Sequence, residues 1–299
     1  MAKNLGGVPN VKEMFEYASS VMNYDLLKLC NEGPGDELNM TINCQAAVLV
    51  TSLAALEKLK YDNPYAVDRC VVTAGFSVGE YSALVFSGAL SFEEAVQVVK
   101  VRGEAMQSVS EERESGLLTV FTGPDANIRY SMKLAREWCI EKEGIPEPVC
   151  EISNFLSPDC KVIGGDLKAL EFLERNGRAC GIKRSKRVRV SGAFHTSLMK
   201  PARNVLKKIL EQVEVREPAI EVISNVSARA HRSRDGIRKA LLEHICSPVQ
   251  WEQTMHHIYT RDRTEEYPQT YEVGPGKTLR PLLRALNNRA YSQSHQVQL

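Results

Sequence analysis

The sequence predicts an α/β fold in which a small unit is inserted into a larger one. Short apolar strands alternate with amphipathic helices before residue 112 and after residue 187, which favours a mostly parallel sheet covered on both faces. Between these points the order is βαββαβ, that of a ferredoxin-like unit. The predicted boundaries are 1–111 and 188–299 for the large domain and 112–187 for the small one.

Length and composition describe a globular chain with little net charge. Of its 299 residues, 43% are hydrophobic and 25% are charged, which suits one large core or two unequal ones. The formal net charge of +1 gives no field that would recruit nucleic acid or an anionic membrane. The longest apolar run, 46–56, is too short to span a bilayer. Neither nucleic acid nor a membrane is therefore expected as a partner.

Cysteine and histidine spacing gives no sign of a metal site or a disulfide framework. The 8 cysteines contain no C-x-x-C pair, and the 6 histidines form no H-E-x-x-H motif. We therefore expect reduced thiols and no metal. Residues 1–5 lack both the apolar core of a signal peptide and an amphipathic presequence, so no targeting segment is visible.

Two helix-start signals organise the chain before residue 112. Asn10 followed by Glu13, and Ser91 followed by Glu94, have the spacing of a capping box. Apolar residues recur at helical spacing after each signal. The elements predicted here are helices from 10 to about 21, 44–60, 80–88 and 91–107, and a strand at 69–74.

The later elements follow from apolar runs and their breaks. The small unit is predicted to contain strands at 117–121, 149–153, 160–163 and 186–190 and helices at 124–142 and 166–175. After it we expect helices at 197–213, 235–245, 249–260 and from 277, with strands at 220–224 and 270–273. The tail, 292–299, is polar and is predicted to fray.

One serine lies between two glycines where a strand gives way to a helix. Residues 71–84 read VVTAGFSVGEYSAL, with Ser77 at the centre of G-x-S-x-G. In a nucleophile elbow this sharp turn exposes the hydroxyl, and the N–H of Val78 points to where an oxyanion develops. The alternative is a glycine-rich turn with an incidental serine. The flanking strand and helix favour the catalytic interpretation.

A serine nucleophile needs a base, and His195 is the best placed histidine. It lies in VRVSGAFHTSLM (188–199), between a predicted strand and a predicted helix, where side chains converge on a cleft. The alternative is a core histidine with satisfied hydrogen bonds. No aspartate stands out as the third member of a triad, and a backbone carbonyl could hold the imidazole tautomer instead.

Arg102 is a candidate binding residue on the helix that Ser91 caps. It lies on or beside an otherwise apolar face. A buried arginine is costly unless an anion meets it, and its planar fork suits a carboxylate. The alternative is a surface arginine whose stem lies along apolar neighbours.

Five segments of the chain together resemble one enzyme family, the malonyl-CoA:acyl-carrier-protein transacylases. They are GFSVGEYSALVFSGAL (75–90), VVKVRGEAMQ (98–107), SGAFHTSLMKPA (191–202), SPVQWEQTM (247–255) and YEVGPGKTL (271–279). The resemblance runs from about residue 10 to 290 and preserves the order and spacing of these segments. Phe76 before the serine resembles the animal mitochondrial version rather than the bacterial G-H-S-x-G.

The resemblance implies roles for particular residues. Ser77 is expected to be the acylated nucleophile, His195 its base and Arg102 the partner of the free malonyl carboxylate. Phe194 occupies the position that in related acyltransferases favours malonyl over a branched acyl group.

Further positions match the family's pocket and fold. Gln45 and Asn154 correspond to polar positions near the pocket, and His244 falls where the family supplies a main-chain carbonyl to the catalytic histidine. The implied fold is an α/β-hydrolase-like large domain with a parallel sheet, joined to a ferredoxin-like small domain.

The implied activity is ping-pong transfer of malonyl from coenzyme A to the phosphopantetheine thiol of acyl carrier protein, for fatty acid synthesis. A malonyl-serine is the intermediate. The coenzyme A thioester is a substrate, and no cofactor is implied. By the same resemblance, a monomer in the mitochondrial matrix is expected.

Two other functions stay open at this stage. A serine hydrolase or thioesterase would use the same turn with water as acceptor, although that class usually places its histidine near the carboxyl end, far from His195. The family also begins with a strand ending in Gly-Gln-Gly-Ser-Gln, which has no counterpart here. We therefore also expect a truncated form that is weakly active or acts as a binding protein.

A basic stretch precedes the candidate base. GIKRSKRVRV (181–190) contains Lys183, Arg184, Lys186, Arg187 and Arg189. Because acyl carrier proteins are acidic, this stretch is a candidate docking surface. The alternative is a solvated basic face.

Overall fold

The computed structural model describes residues 1–2, 5, 7–260 and 267–299. Residues 3 and 4 of the amino-terminal stretch lie outside this description. Helices and strands alternate along the described chain, so the predicted α/β class is confirmed.

The chain before residue 113 is mainly helical. It contains α1 (Val11–Met22), α2 (Leu26–Glu32), α3 (Gly35–Asn39), α4 (Thr41–Asp62), α5 (Pro64–Asp68), β1 (Val72–Ala74), α6 (Gly79–Phe86) and α7 (Phe92–Glu112). The capping box of Ser91 and Glu94 at α7 is confirmed, because each side chain accepts the other's backbone N–H. The predicted capping by Asn10 is wrong. Its backbone is left-handed rather than extended, and its side chain donates to the Glu57 carboxylate at 3.1 Å instead.

A βαββαβ segment follows. It consists of β2 (Ser115–Thr122), α8 (Ile128–Glu143), β3 (Cys150–Ser157), β4 (Cys160–Asp166), α9 (Leu167–Asn176) and β5 (Ile182–Val188). The strands are ordered β5-β2-β4-β3 with antiparallel neighbours, as in a ferredoxin-like unit. Both helices pack on one face, where Leu118, Ile163 and Leu170 are fully buried.

The rest of the chain returns to mixed helices and short strands. It contains α10 (Ala202–Gln212), β6 (Glu221–Ile223), α11 (Arg234–His244), β7 (Val249–Gln250), α12 (Trp251–Tyr259), β8 (Thr270–Glu272), α13 (Leu279–Leu286), α14 (Asn288–Ser292) and β9 (Ser294–Gln296). The single helix predicted over 197–213 is divided into a 3-10 turn, Ser197–Met199, and α10.

The parallel strands differ from the single sheet that the sequence predicts. β1 pairs in parallel with β6, whereas β8 pairs in parallel with β9, so these four strands form two small sheets. β7, predicted as the start of a helix, pairs in parallel with β3 and adds a fifth strand to the ferredoxin-like sheet. That sheet therefore continues beyond the predicted boundary of the small domain.

The predicted fraying of the tail is wrong. β9 lies within it, and the N–H of Val297 donates to the carbonyl of Glu272 at 3.0 Å. Val297 is 8% exposed and packs with Ala55 and Leu59 of α4. This apolar contact anchors the tail beside β8 and explains why β8 has β9 as its partner.

The largest core lies among α1, α4, α6, α7, α10 and α11. α4 is long and apolar enough to cross a membrane, but 67% of its most apolar window is buried inside the molecule, as in the core helix of a globular protein. α7 approaches the start of α4 closely at Gly103, where a Cβ would lie 3.2 Å from the Cα of Ile42. This approach brings the residue before Gly103, Arg102, against α4.

Val297→Ala is expected to lower the free energy of unfolding by about 1–3 kcal/mol, because it removes a buried apolar side chain. Denaturant melts of the purified chain measure the change. Val205→Ala on α10 is the control, since Val205 is 47% exposed and should lose little. Equal losses at both positions would show that the tail is not anchored.

Candidate active site

Ser77 lies in the turn between β1 and α6. Its φ of 50° is in the left-handed region, where non-glycine residues are strained. Gly75 is required for this turn, because a Cβ there would lie 1.9 Å from the backbone of Gly79. At Gly79 a Cβ would meet no atom within 4 Å, so the turn has room for a side chain at that position. The local sequence therefore folds as a sharp strand–turn–helix element with Ser77 at its apex.

Ser77 is hydrogen-bonded to His195. The distance from Ser77 Oγ to His195 Nε2 is 2.8 Å, and the other ring nitrogen, Nδ1, lies 2.8 Å from the carbonyl oxygen of His244. A carbonyl accepts only, so Nδ1 carries the proton and Nε2 is free to accept one from the serine hydroxyl. The backbone carbonyl thus takes the place of a triad aspartate.

The environment keeps His195 neutral. Burial, together with the positive charge of Arg102, lowers the pKa of His195 to about 3. Hydrogen bonds to the backbone at His244 and Ser247 act in the opposite direction. The imidazole is therefore in its proton-accepting form at neutral pH.

Arg102 is buried rather than on the surface, being 1% exposed. Its Nη1 donates to Gln45 Oε1, its Nη2 donates to Ser77 Oγ at 3.3 Å, and its guanidinium lies 5.6 Å from the ring centroid of Tyr81. Among the described residues no carboxylate comes within 4.0 Å of it. Burial lowers the pKa of Arg102 from its usual value, because a charge removed from water is costly.

The other predicted residues lie around this contact. Val78 follows Ser77 immediately before α6, and Gln45 is held between Arg102 and the sulfur of Met106, at 3.5 Å from Nε2. Phe194 is half-buried and directly precedes His195.

Asn154 is buried in β3 and belongs to a separate contact near the base. The hydroxyl oxygen of Ser153 lies 2.8 Å from both Asn154 Oδ1 and the Phe194 carbonyl oxygen. No described hydrogen bond joins Asn154 to Ser77 or Arg102.

Sequence reasoning missed three residues around this site. Asn225, Glu80 and His231 form a buried hydrogen-bonded chain beside Ser77. One signal was available: Asn225 follows a predicted strand, and parallel strands present their carboxyl ends at one edge. No cluster of three or more potential metal-ligating side chains occurs within residues 1–2, 5, 7–260 and 267–299.

Comparisons with known proteins identify the family of this chain. The sequence model of the acyl transferase domain family matches residues 11–280 of this chain. The mitochondrial malonyl-CoA-acyl carrier protein transacylase of Mus musculus is 47% identical over 99% of this chain and 77% of its own length. The chain belongs to the malonyl-CoA-acyl carrier protein transacylase family.

Solved structures of transacylases have the same fold. The enzyme from Coxiella burnetii superposes with a TM-score of 0.84 at 29% identity, covering 97% of this chain and 86% of its own. A malonyl-transacylase in complex with its type II PKS acyl-carrier protein superposes with a TM-score of 0.80 at 31% identity. The match covers 96% of this chain and 87% of the transacylase.

The low pKa of His195 predicts an unusual pH profile. A lowered pKa keeps the proton-accepting form as the pH falls, so the rate at which phenylmethanesulfonyl fluoride modifies Ser77 should vary less than about twofold between pH 8 and 5. A histidine of ordinary pKa would lose about thirtyfold over this range, and that loss would contradict the assignment. In Arg102→Ala the acid limb should begin at higher pH, whereas Arg175→Ala, which changes an exposed arginine, should leave it unchanged.

Proposed function

We propose that this chain transfers a malonyl group from malonyl-CoA to the phosphopantetheine thiol of acyl carrier protein, supplying fatty acid synthesis. The observation that carries the proposal is the buried guanidinium of Arg102, without a carboxylate partner among the described residues, at 3.3 Å from the nucleophile. Its relatives in mouse and in bacteria are named as malonyl transacylases.

The first half-reaction acylates Ser77. His195 Nε2 takes the hydroxyl proton while Ser77 Oγ attacks the thioester carbonyl, and the resulting oxyanion is met by the N–H of Val78 at the start of α6. The C–S bond then breaks, the malonyl ester remains on Ser77, and His195 returns the proton to the sulfur of coenzyme A.

The second half-reaction reverses these steps with another thiol. His195 takes the proton from the phosphopantetheine thiol, its sulfur attacks the malonyl-serine, and the proton returns to Ser77. The coenzyme A thioester and the carrier thiol are both substrates, so Ser77, His195 and Arg102 complete the cycle without a further cofactor.

Arg102 selects the acyl group. Only one methylene separates the malonyl carboxylate from the thioester carbonyl, which matches a guanidinium that already touches the attacking oxygen. Gln45 fixes the orientation of the guanidinium from the opposite side. Phe194, next to the base, limits the space beside the methylene, and Asn154 supports Phe194 through Ser153.

A serine hydrolase would use the same pair, Ser77 and His195, with water as acceptor. Arg102 argues against it, because hydrolysis of an uncharged ester gains nothing from a buried cation whose burial is costly. The acyl-serine must instead be protected from water until the carrier thiol arrives.

Exposed basic side chains on β5 and directly after it suit an acidic carrier protein. Lys183, Lys186 and Arg189 are exposed and have no carboxylate within 4.0 Å among the described residues. The guanidinium carbon of Arg184 lies 4.2 Å from the ring centroid of Phe121, and this side chain is also exposed. Arg187, in contrast, donates two hydrogen bonds to the carboxylate of Glu174. We therefore propose that the carrier protein docks on the four exposed basic residues and that Arg187 has a structural role. The four are Lys183, Arg184, Lys186 and Arg189.

The remaining expectations belong to the same proposal. A large domain, 1–111 and 188–299, and a small domain, 112–187, are supported by separate buried clusters in the two parts. The mitochondrial names of the animal relatives support a place in the mitochondrial matrix. We expect a monomer that binds neither nucleic acid nor membranes.

Arg102→Ala tests the function most specifically. It should lower the ratio of malonyl to acetyl transfer by about 10- to 100-fold, because a charge-assisted pair is lost while Ser77 and His195 stay in contact. Initial rates with malonyl-CoA and acetyl-CoA measure the ratio. Arg102→Lys, which keeps the charge without the planar fork, should fall in between. An unchanged ratio in Arg102→Ala would place the carboxylate elsewhere.

Charge reversal tests the docking surface. The double variant Lys183→Glu, Lys186→Glu should slow transfer to acyl carrier protein, with a weaker salt dependence than that of the unchanged chain, and spare transfer to free pantetheine. The control is Lys208→Glu, Lys239→Glu, which makes the same charge change at exposed lysines of α10 and α11. Equal losses with both acceptors would refute docking at β5.

A further inference from the structure

Asn225 lies at the same sheet edge as Ser77, although 148 residues separate them in the chain. β1 and β6 are parallel neighbours, with Ala74 opposite Ile223, so the residues that follow each strand meet. The Asn225 side chain is fully buried.

The carboxamide of Asn225 holds the nucleophile turn at two points. Its Oδ1 accepts the N–H of Ser77 at 2.8 Å, and its Nδ2 donates to the carbonyl of Gly75 at 2.6 Å. These two backbone groups flank Phe76, so the side chain pairs with the turn as the peptide group of a neighbouring strand would. A left-handed residue such as Ser77 persists only where its surroundings fix it, and these two bonds supply that constraint.

Asn225 Oδ1 also contacts His244, the residue whose carbonyl orients the base His195. His244 Nε2 lies 3.2 Å from Asn225 Oδ1, and the carbonyl of His244 accepts from His195 Nδ1. Burial lowers the pKa of His244 well below its usual value, so this ring is neutral. Since its Nδ1 has no hydrogen-bond partner among the described residues, the proton lies on Nε2 and is donated to Asn225.

The orientation of Asn225 is itself determined by its neighbours. Its backbone N–H donates to Glu80 Oε2 at 2.9 Å, and its carbonyl accepts the N–H of Gln250 at 2.9 Å. Glu80 is held in turn by His231 Nε2, at 2.8 Å from Oε1. A flipped carboxamide would turn its NH₂ group toward two N–H donors, so only the observed orientation satisfies the site.

We propose that Asn225 is a positioning residue for acyl transfer. It fixes the backbone of the nucleophile and ties that backbone to His244, whose carbonyl orients the base. This inference rests on the proposed function only in naming the acyl group, because the contacts it invokes act on Ser77 and His195 and leave Arg102 and Gln45 untouched.

Asn225→Ala should lower the second-order rate constant for modification of Ser77 by phenylmethanesulfonyl fluoride by about 10- to 100-fold, as displaced reacting groups do. In that reaction the Ser77 oxygen bonds to sulfur, fluoride leaves, and the proton passes to His195. The malonyl-CoA concentration that gives half-maximal acylation should change by less than about threefold, since the carboxylate contacts remain.

Asn225→Asp gives a signature that a general loss of stability cannot imitate. Its carboxylate still accepts from Ser77 but faces the Gly75 carbonyl without a proton to donate, so reactivity should be low at pH 8. On acidification the protonated acid regains a donor, and the rate should rise towards that of the unchanged chain. Asn225→Ala should show no such recovery.

Ser224→Ala is the control, because Ser224 is buried in the same turn and the one described hydrogen bond of its hydroxyl is accepted from the N–H of Val226. It should lower the melting temperature without lowering the reactivity of Ser77. A folded Asn225→Ala as reactive as Ser224→Ala would overturn the proposal, and so would an Asn225→Asp chain whose rate does not recover in acid. The reagent carries no malonyl group, so a chain that reacts with it but not with malonyl-CoA would contradict the proposed function alone.

Discussion

The buried charge of Arg102 is the constraint on which the rest of the site depends. It lies in a region where burial keeps both His195 and His244 neutral, and no carboxylate of the described residues lies within 4.0 Å of it. An anion bound there would relieve the cost of burying the guanidinium and weaken one of the two causes that lower the pKa of His195. We therefore expect a bound carboxylate to make the base stronger, so that binding of the correct acyl group and activation of Ser77 are coupled.

Both reacting residues have a strained backbone. Ser77 and His195 both have left-handed φ angles, 50° and 61°. Residues other than glycine keep such angles only where surrounding contacts fix the backbone. His195 is held by its own N–H, which donates to the carbonyl of Ile245 at 3.0 Å, and by its ring contact with His244. The end of α11 thus positions the base, while β1 and β6 position the nucleophile.

Local signals allowed part of this to be predicted from the sequence. G-x-S-x-G identified Ser77 because the turn depends on a glycine at position 75, and the capping box at Ser91 needs only residues three apart. The resemblance supplied Gln45 and His244, whose contacts lie far apart in the sequence. Helices and strands of the ferredoxin-like segment followed from periodicity, with ends that differ by a few residues.

Features that depend on tertiary contacts were missed. The tail forms β9 because Val297 reaches a cluster on α4, which the polar composition of 292–299 does not indicate. Asn10 has a capping sequence but a left-handed backbone. The role of Asn225 could not be predicted from the sequence alone, because it arises from the parallel pairing of two three-residue strands.

Intact-mass measurement after brief exposure to malonyl-CoA tests directly whether Ser77 carries the malonyl group. We expect a mass increase of one malonyl group on the unchanged chain, lost again on addition of acyl carrier protein bearing phosphopantetheine. We expect no increase in Ser77→Ala, whose small side chain the turn accommodates. A malonyl adduct that persists in Ser77→Ala, or an unchanged chain that is never malonylated, would contradict it.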